Sequence, residues 1–357
     1  MPDYRVDGMA ARMTARMTSR AIFFKAWAAL CFVSGFSSSS QAQESSQPWL
    51  KQSPEEQGLS QMVLDRAAEK VGKIGWRQCF VVIKGGHLVY EHYYVGNAQT
   101  PVYAFSLTKS YVSALIGVAV TEGLLSLDER LIDLGVPLAS AMHSQTRVRH
   151  VLGQVSEGAE PGLAFRYDSG EVVNTLSSVL TSALKRAGHS ESLVDYAEHH
   201  LFKPLGLTST QWDAISPNQI RVGYGIRTTG RDAARLGQLF LNQGTWQGQT
   251  LIDAAYITQA TQPSFPSANG SHGYLWWLNQ QAEHWIRPVM TGAGQLIPGA
   301  PTDMFMATGM TGNFIYVFPT QDMVVVSLGH TLNWRIESLL TAREIYEAFA
   351  EAIGQKG

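Results

Sequence analysis

The spacing of apolar positions changes period twice along the chain. Cys79-Phe80-Val81-Val82-Ile83 and residues 87–94 are rich in β-branched and aromatic side chains. They flank Lys84-Gly85-Gly86, which predicts a β-hairpin. From residue 106 the period becomes helical. Val112, Leu115, Ile116, Ala119 and Val120 recur at helical spacing, and Gly123 stops the run. Residues 192–202 give a second helix ended by Pro204. Residues 230–242 give a third, with Thr229 and Asp232 forming a cap like a capping box. Strands return at Tyr274–Leu278, Phe305–Thr308, Phe314–Phe318 and Met323–Leu328. The last is apolar at nearly every position, as a strand covered on both faces must be. A helix from about Arg335 to Ile353 closes the chain, and there is no internal repeat.

Strands, then helices, then strands predict an α+β fold. An antiparallel sheet built from N- and C-terminal segments, about 53–105 and 270–357, is flanked by helices. A mostly helical region, about 106–269, is inserted between them. A cleft is expected where sheet and helices meet.

The N-terminus has a different character. Arg12, Arg16, Arg20 and Lys25 precede a short apolar run, Ala26 to Val33, and a Ser-rich stretch leads to Ser40-Gln41-Ala42. A basic start, a short apolar centre and a small-x-small site read as a secretory signal over residues 1–42. The run is too short to span a bilayer, so no stable membrane anchor is expected after cleavage, and the mature domain is 43–357. It would be periplasmic or secreted. Its 22 basic and 27 acidic residues give a balance of −5. Only Cys79 remains, so no internal disulfide forms. With no base or helix start beside it, Cys79 reads as a small buried hydrophobe.

Composition narrows the function. Of 357 residues, 45% are hydrophobic and 16% charged, which excludes general disorder. Lys+Arg 27 against Asp+Glu 29 leaves no basic face for nucleic acid. The ten histidines show no zinc-type spacing, so neither metal nor organic cofactor is expected. No Gly-x-Ser-x-Gly elbow occurs, which argues against an α/β-hydrolase triad.

The chemistry centres on Ser106-Leu107-Thr108-Lys109. Residues three apart share a helix face, so the Lys109 amine can reach the Ser106 hydroxyl. A serine needs a base to take its proton, and a partly buried lysine can serve. The helix start adds free N–H groups for a developing oxyanion. By chance alone such a pair arises roughly once in this composition. A second, Ser182-Ala183-Leu184-Lys185, lies inside a helical stretch and reads as a solvated face. Two further segments add to Ser106. In Phe165-Arg166-Tyr167-Asp168-Ser169-Gly170, Tyr167 is a candidate proton shuttle and Ser169 a carrier onward. In Ala307-Thr308-Gly309-Met310-Thr311-Gly312, a Gly-rich strand edge at Thr308 and Gly309 admits a substrate, and the Met310 N–H is a second oxyanion donor. Tyr103 is a candidate to line the cleft, with core packing an equal reading; the doublet Trp276-Trp277 is another, with Trp276 the candidate substrate contact, or strand alternation puts one of the two in the core and one at the surface.

Together these segments resemble the serine β-lactamase, DD-peptidase and serine-esterase superfamily, especially its class C-like branch. Ser106-x-x-Lys109 matches its first motif, and Tyr167-Asp168-Ser169 the Tyr-x-Ser form of its second. Residues 121–128, Val148-Arg149-His150-Val151-Leu152, Leu201 to Leu207, Arg227 to Asp232 and Tyr274 to Trp277 are similar in style, so the likeness spans roughly 53–350. It implies that Ser106 forms an acyl-enzyme, with Lys109 and Tyr167 moving the proton. The N–H groups of Ser106 and Met310 would hold the oxyanion.

Two departures stand out. Ala307 replaces the Lys or His of penicillin-recognising members, which removes a cation for a substrate carboxylate. That favours a small-molecule ester or amide substrate and resembles the 6-aminohexanoate-dimer hydrolase branch. After Leu152, Gly153-Gln154-Val155-Ser156-Glu157-Gly158 stands where the family often has Thr-His-Thr-Ser-Gly. A β-lactamase or DD-peptidase acting on cell-wall-like substrates, and a non-catalytic binding module on the same fold, remain the alternatives.

Overall fold

The computed structural model describes residues 48–167, 170–287, 290–330 and 338–354. The expected export signal, Ser169 and the start of the last helix lie outside them.

Six antiparallel strands form the central sheet: β1 (Trp76–Lys84), β2 (His87–Tyr93), β3 (Trp277–Leu278), β4 (Phe305–Gly309), β5 (Asn313–Phe318) and β6 (Met323–His330). Their order is β2-β1-β6-β5-β4-β3, so the early hairpin and the late strands share one sheet. Val81 stands opposite Val326 at the junction.

Alternation along the strands sends side chains to two separate cores. On one face Cys79, Val81, Ile83, Ile315, Val317, Val324 and Val326 join the core of the inserted region. That core contains the buried helix α2 (Thr108–Thr121) and the amphipathic helices α3 (Glu171–Arg186) and α4 (Gly230–Leu241). On the other face Phe80, Val82, Phe314, Tyr316, Phe318 and Val325 pack with α1 (Gln61–Val71) and α5 (Ser338–Phe349). Covering both faces is what lets β6 be apolar at nearly every position from Met323 to Leu328.

The cap of α4 forms as its sequence predicts, with the Thr229 side chain accepting from the Asp232 N–H. This helix lies very close to the sheet. A Cβ at Gly230 would stand 2.6 Å from Cys79 Sγ, and one at Gly237 would stand 2.7 Å from Val324 and 2.8 Å from Ile315. Cys79 is fully buried there, and burial pushes its thiol up to about 12.

Two elements differ from expectation. The helix at 192–202 is α-helical only over Leu193–Ala197. It widens into a π-turn over Glu198–Phe202 and runs through Pro204 to Leu205. Proline cannot donate to the carbonyl four residues back and its ring crowds that carbonyl, and the wider turn accommodates both. Gly206, at φ 71°, ends the helix instead. The segment from Tyr274 pairs with β4 only at Trp277–Leu278, because Leu275 has φ 63° and donates its N–H to Leu152.

Gly237→Ala should lower the melting temperature. The substitution gains about 1 kcal/mol of helix propensity, but overpacking against Val324 and Ile315 should cost about 1–3 kcal/mol. A melt equal to wild type would show that α4 can retreat from the sheet.

Candidate active site

Ser106 sits in a 3-10 turn, Phe105–Leu107, that runs straight into α2. The turn is fixed from outside. Val102–Tyr103 pairs with Ile226–Thr228, and the Ala104 N–H donates to Ile226 O at 2.9 Å. Phe105, immediately before the serine, has φ 51°. A bulky residue there is strained, and such strain persists only where surrounding contacts enforce it.

Lys109 is one turn further on and only 3% exposed. Its Nζ stands 3.2 Å from Ser106 Oγ, 3.2 Å from the Tyr167 hydroxyl and 3.4 Å from Gly223 O. It also lies 4.6 Å from the Tyr167 ring centre. The amine therefore bridges a candidate nucleophile and a phenol, as a proton relay requires.

Tyr167 lies on an aromatic bed. Its ring is 5.6 Å from Trp277, and Phe165 packs 4.9 Å from His272 and 6.1 Å from Trp277. His272 is buried, and burial followed by the charge of Lys109 lowers its pKa to about 3. It is therefore neutral near pH 7 and supports the aromatic bed instead of contributing a cation.

The third segment closes the other side. Gly309 ends β4 against the turn; a Cβ there would be 2.1 Å from Ala104 O, so no other residue permits the approach. Met310 follows, 46% exposed. Among the described residues neither its N–H nor that of Ser106 donates a hydrogen bond, which leaves both for a ligand. Thr308 is half-buried on β4, opposite Phe314. Tyr103 is exposed, with the Arg227 guanidinium 4.9 Å above its ring.

Trp276 requires correction. It is fully buried, 4.5 Å from Phe240 and 5.3 Å from Phe305, and does not line the cleft. Its neighbour Trp277 is the tryptophan that reaches Tyr167. The doublet was visible in the sequence, but the positive φ of Leu275, which helps set the phase, was not. His272 and the Gly223 carbonyl were missed as well, for they belong to no motif. Asp303 accepts from the N–H and hydroxyl of Thr320 at 2.9 and 2.6 Å, so it acts as a turn cap. Among the described residues no group of three or more His, Cys, Asp or Glu is placed to hold a metal ion.

Tyr167 also lines a cavity of about 580 Å³, together with Leu163, Phe165, Ala268, Glu157 and Arg166. The last two form an ion pair at 3.0 Å.

A helix-covered antiparallel sheet, with a serine at a helix start, a buried lysine one turn on and a tyrosine above both, defines the serine β-lactamase/transpeptidase-like class of hydrolase folds. The family model "Beta-lactamase" matches residues 78–339, and the chain belongs to that family. An uncharacterised protein of Alkalihalophilus pseudofirmus is 20% identical, over 69% of this chain and 81% of its own. Solved structures with the same fold include a Bacillus anthracis protein provisionally named a 6-aminohexanoate-dimer hydrolase (TM-score 0.62, 19% identity, 79% of this chain and 81% of that one). They also include a family VIII carboxylesterase (TM-score 0.64, 16% identity, 85% and 99%). A third is a beta-lactamase from Mycobacterium bovis (TM-score 0.60, 22% identity, 80% and 99%).

The state of His272 has a measurable consequence. Its folded pKa lies below that of the unfolded chain, so its contribution to stability is complete above about pH 6.5 and is lost as pH falls toward 3. His272→Gln should flatten the fall in melting temperature over that window. An unchanged slope would show that His272 protonates freely in the folded protein.

Proposed function

We propose that this protein is a serine hydrolase that cleaves an ester or amide bond through an acyl-enzyme on Ser106. The supporting observation is the single amine of Lys109, 3.2 Å from both Ser106 Oγ and the Tyr167 hydroxyl. Ser106 Oγ attacks the substrate carbonyl carbon while its proton passes to the Lys109–Tyr167 pair. The N–H groups of Ser106 and Met310 stabilise the oxyanion. As the tetrahedral intermediate collapses, the proton passes to the leaving alkoxide or amine. Water, deprotonated by the same pair, then releases the acid and restores the serine. Ser169 is proposed to carry the proton onward. No metal or organic cofactor enters this scheme.

Ala307 is fully buried where penicillin-recognising relatives carry a cation, so this position offers no charge to a substrate carboxylate. The cavity beside Tyr167 carries Leu163, Phe165 and Ala268 on its walls. Both features favour a weakly anionic ester or amide over a β-lactam. We also propose export to the periplasm or medium by the N-terminal signal; a mature N-terminus at Gln43 would support it, and an intact Met1 would oppose it.

Ser106→Ala should abolish labelling by a fluorophosphonate and all turnover of p-nitrophenyl esters or short amide oligomers. Lys109→Ala and Tyr167→Phe should each cut turnover roughly a hundredfold or more. Labelling by both a fluorophosphonate and a fluorescent penicillin would move the assignment to a β-lactamase or DD-peptidase. Wild-type behaviour identical to Ser106→Ala would leave a non-catalytic binding module.

A further inference from the structure

Arg77, on β1, belongs to none of the motifs above. It is only 3% exposed, and among the described residues no carboxylate pairs with it. A buried cation without a counter-ion is costly, so its hydrogen bonds call for explanation. A long one, 3.5 Å, reaches Ser327 Oγ on β6, and the other two go to the loop that follows β4. One guanidinium nitrogen donates to Thr311 O at 2.9 Å and the other to Gly312 O.

Those two bonds complete a pattern. Gly309 O accepts from the Gly312 N–H at 3.3 Å, and Met310 O accepts from Asn313 Nδ2 at 3.0 Å. All four carbonyls from Gly309 to Gly312 are therefore tied down, while the Met310 N–H is left free beside the Ser106 turn. Asn313 Nδ2 also reaches Tyr103 O, at 3.2 Å, which joins the loop to the segment before the serine.

The tie opposes strain. Thr311 has φ 69° and Gly312 φ 88°. A β-branched residue in the left-handed region is a marked outlier and holds that conformation only when its surroundings impose it. The space around Arg77 is shaped to match. The β1–β6 register shifts between Arg77 and Cys79, a bulge of the kind that re-aims a side chain. A Cβ at Gly312 would be 2.6 Å from the guanidinium, and one at Gly329 would be 2.5 Å from it.

We propose that Arg77 is a positioning residue for catalysis: by holding the carbonyls of Thr311 and Gly312 it keeps the strained loop in the conformation that aims the Met310 N–H at the oxyanion. This inference rests on the acyl-enzyme reading above.

The test compares Arg77→Ala, Arg77→Lys and wild type on a p-nitrophenyl ester, with Ser106 labelling carried to completion as the count of folded sites. Arg77→Ala should lose roughly a hundredfold in kcat, the scale of one lost oxyanion donor, with KM within about threefold. Guanidinium at tens of millimolar should restore part of that loss, and methylammonium should not. Should Arg77→Ala fail to fold, Arg77→Lys carries the test. It keeps the charge but not the planar fork that reaches both carbonyls, and should lose at least about tenfold in kcat at unchanged KM. A folded variant with wild-type kcat, or a loss shared by kcat and KM that guanidinium does not reverse, overturns the proposal. A wild type that neither labels at Ser106 nor turns over brings down the underlying reading and this inference with it. A wild type active beside an equally active Arg77→Ala brings down this inference alone.

Discussion

The site depends on one constraint, an amine placed inside an apolar helix bundle. Twelve residues of α2 are buried, Lys109 among them. A buried amine must find polar partners or it destabilises the fold. The partners described here come from three stretches of chain: Ser106 at the helix start, Tyr167 from a loop of the inserted region, and the Gly223 carbonyl. Satisfying the lysine therefore gathers the proposed nucleophile and proton relay at one point. The polar requirement of folding and the geometry of proton transfer are met by the same contacts.

Backbone bonds hold those stretches in register. Ala104 is fixed to Ile226, and Gly309 lies against Ala104. The segment that departs from the family's usual Thr-His-Thr-Ser-Gly is anchored as well. Gln154 has φ 57°, and its carbonyl accepts from the Arg166 N–H at 2.9 Å, one residue before Tyr167. Glu157 follows and pairs with the Arg166 side chain. The altered loop thus still braces the tyrosine, while placing an ion pair in the cavity wall.

Much of this was legible in the chain because two signals are local. Strand alternation and helical spacing reveal which face of an element is buried, and a serine three residues before a lysine places both on one helix face. The shared sheet followed from strands at both ends of the chain around a helical middle, and the nearly all-apolar Met323–Leu328 run signalled cover on both faces. What was not legible depends on contacts between distant segments. Nothing near Trp276 and Trp277 tells which one packs against Phe240 and which supports Tyr167. Pro204 reads as a stop unless the turn before it widens. Arg77 stands in an apolar strand and looks like an ordinary edge residue until Thr311 and Gly312, more than two hundred positions away, are brought to it.

The pairing of β1 with β6 has a consequence for how the molecule comes into being. The neighbour of an early strand is one of the last to be synthesised, and everything between is the inserted region and the remaining strands. Contacts so remote in sequence form slowly, since a long loop must close before any bond repays it. The helix that carries Lys109 can arise early from local bonds, whereas the serine turn waits for Ile226 to hold it. The seat of Arg77 between Gly312 and Gly329 waits longer still, for β6. A nascent chain would thus hold the proposed nucleophile without the loop beside it, and on the reading proposed above hydrolytic competence would come only with completion of the central sheet.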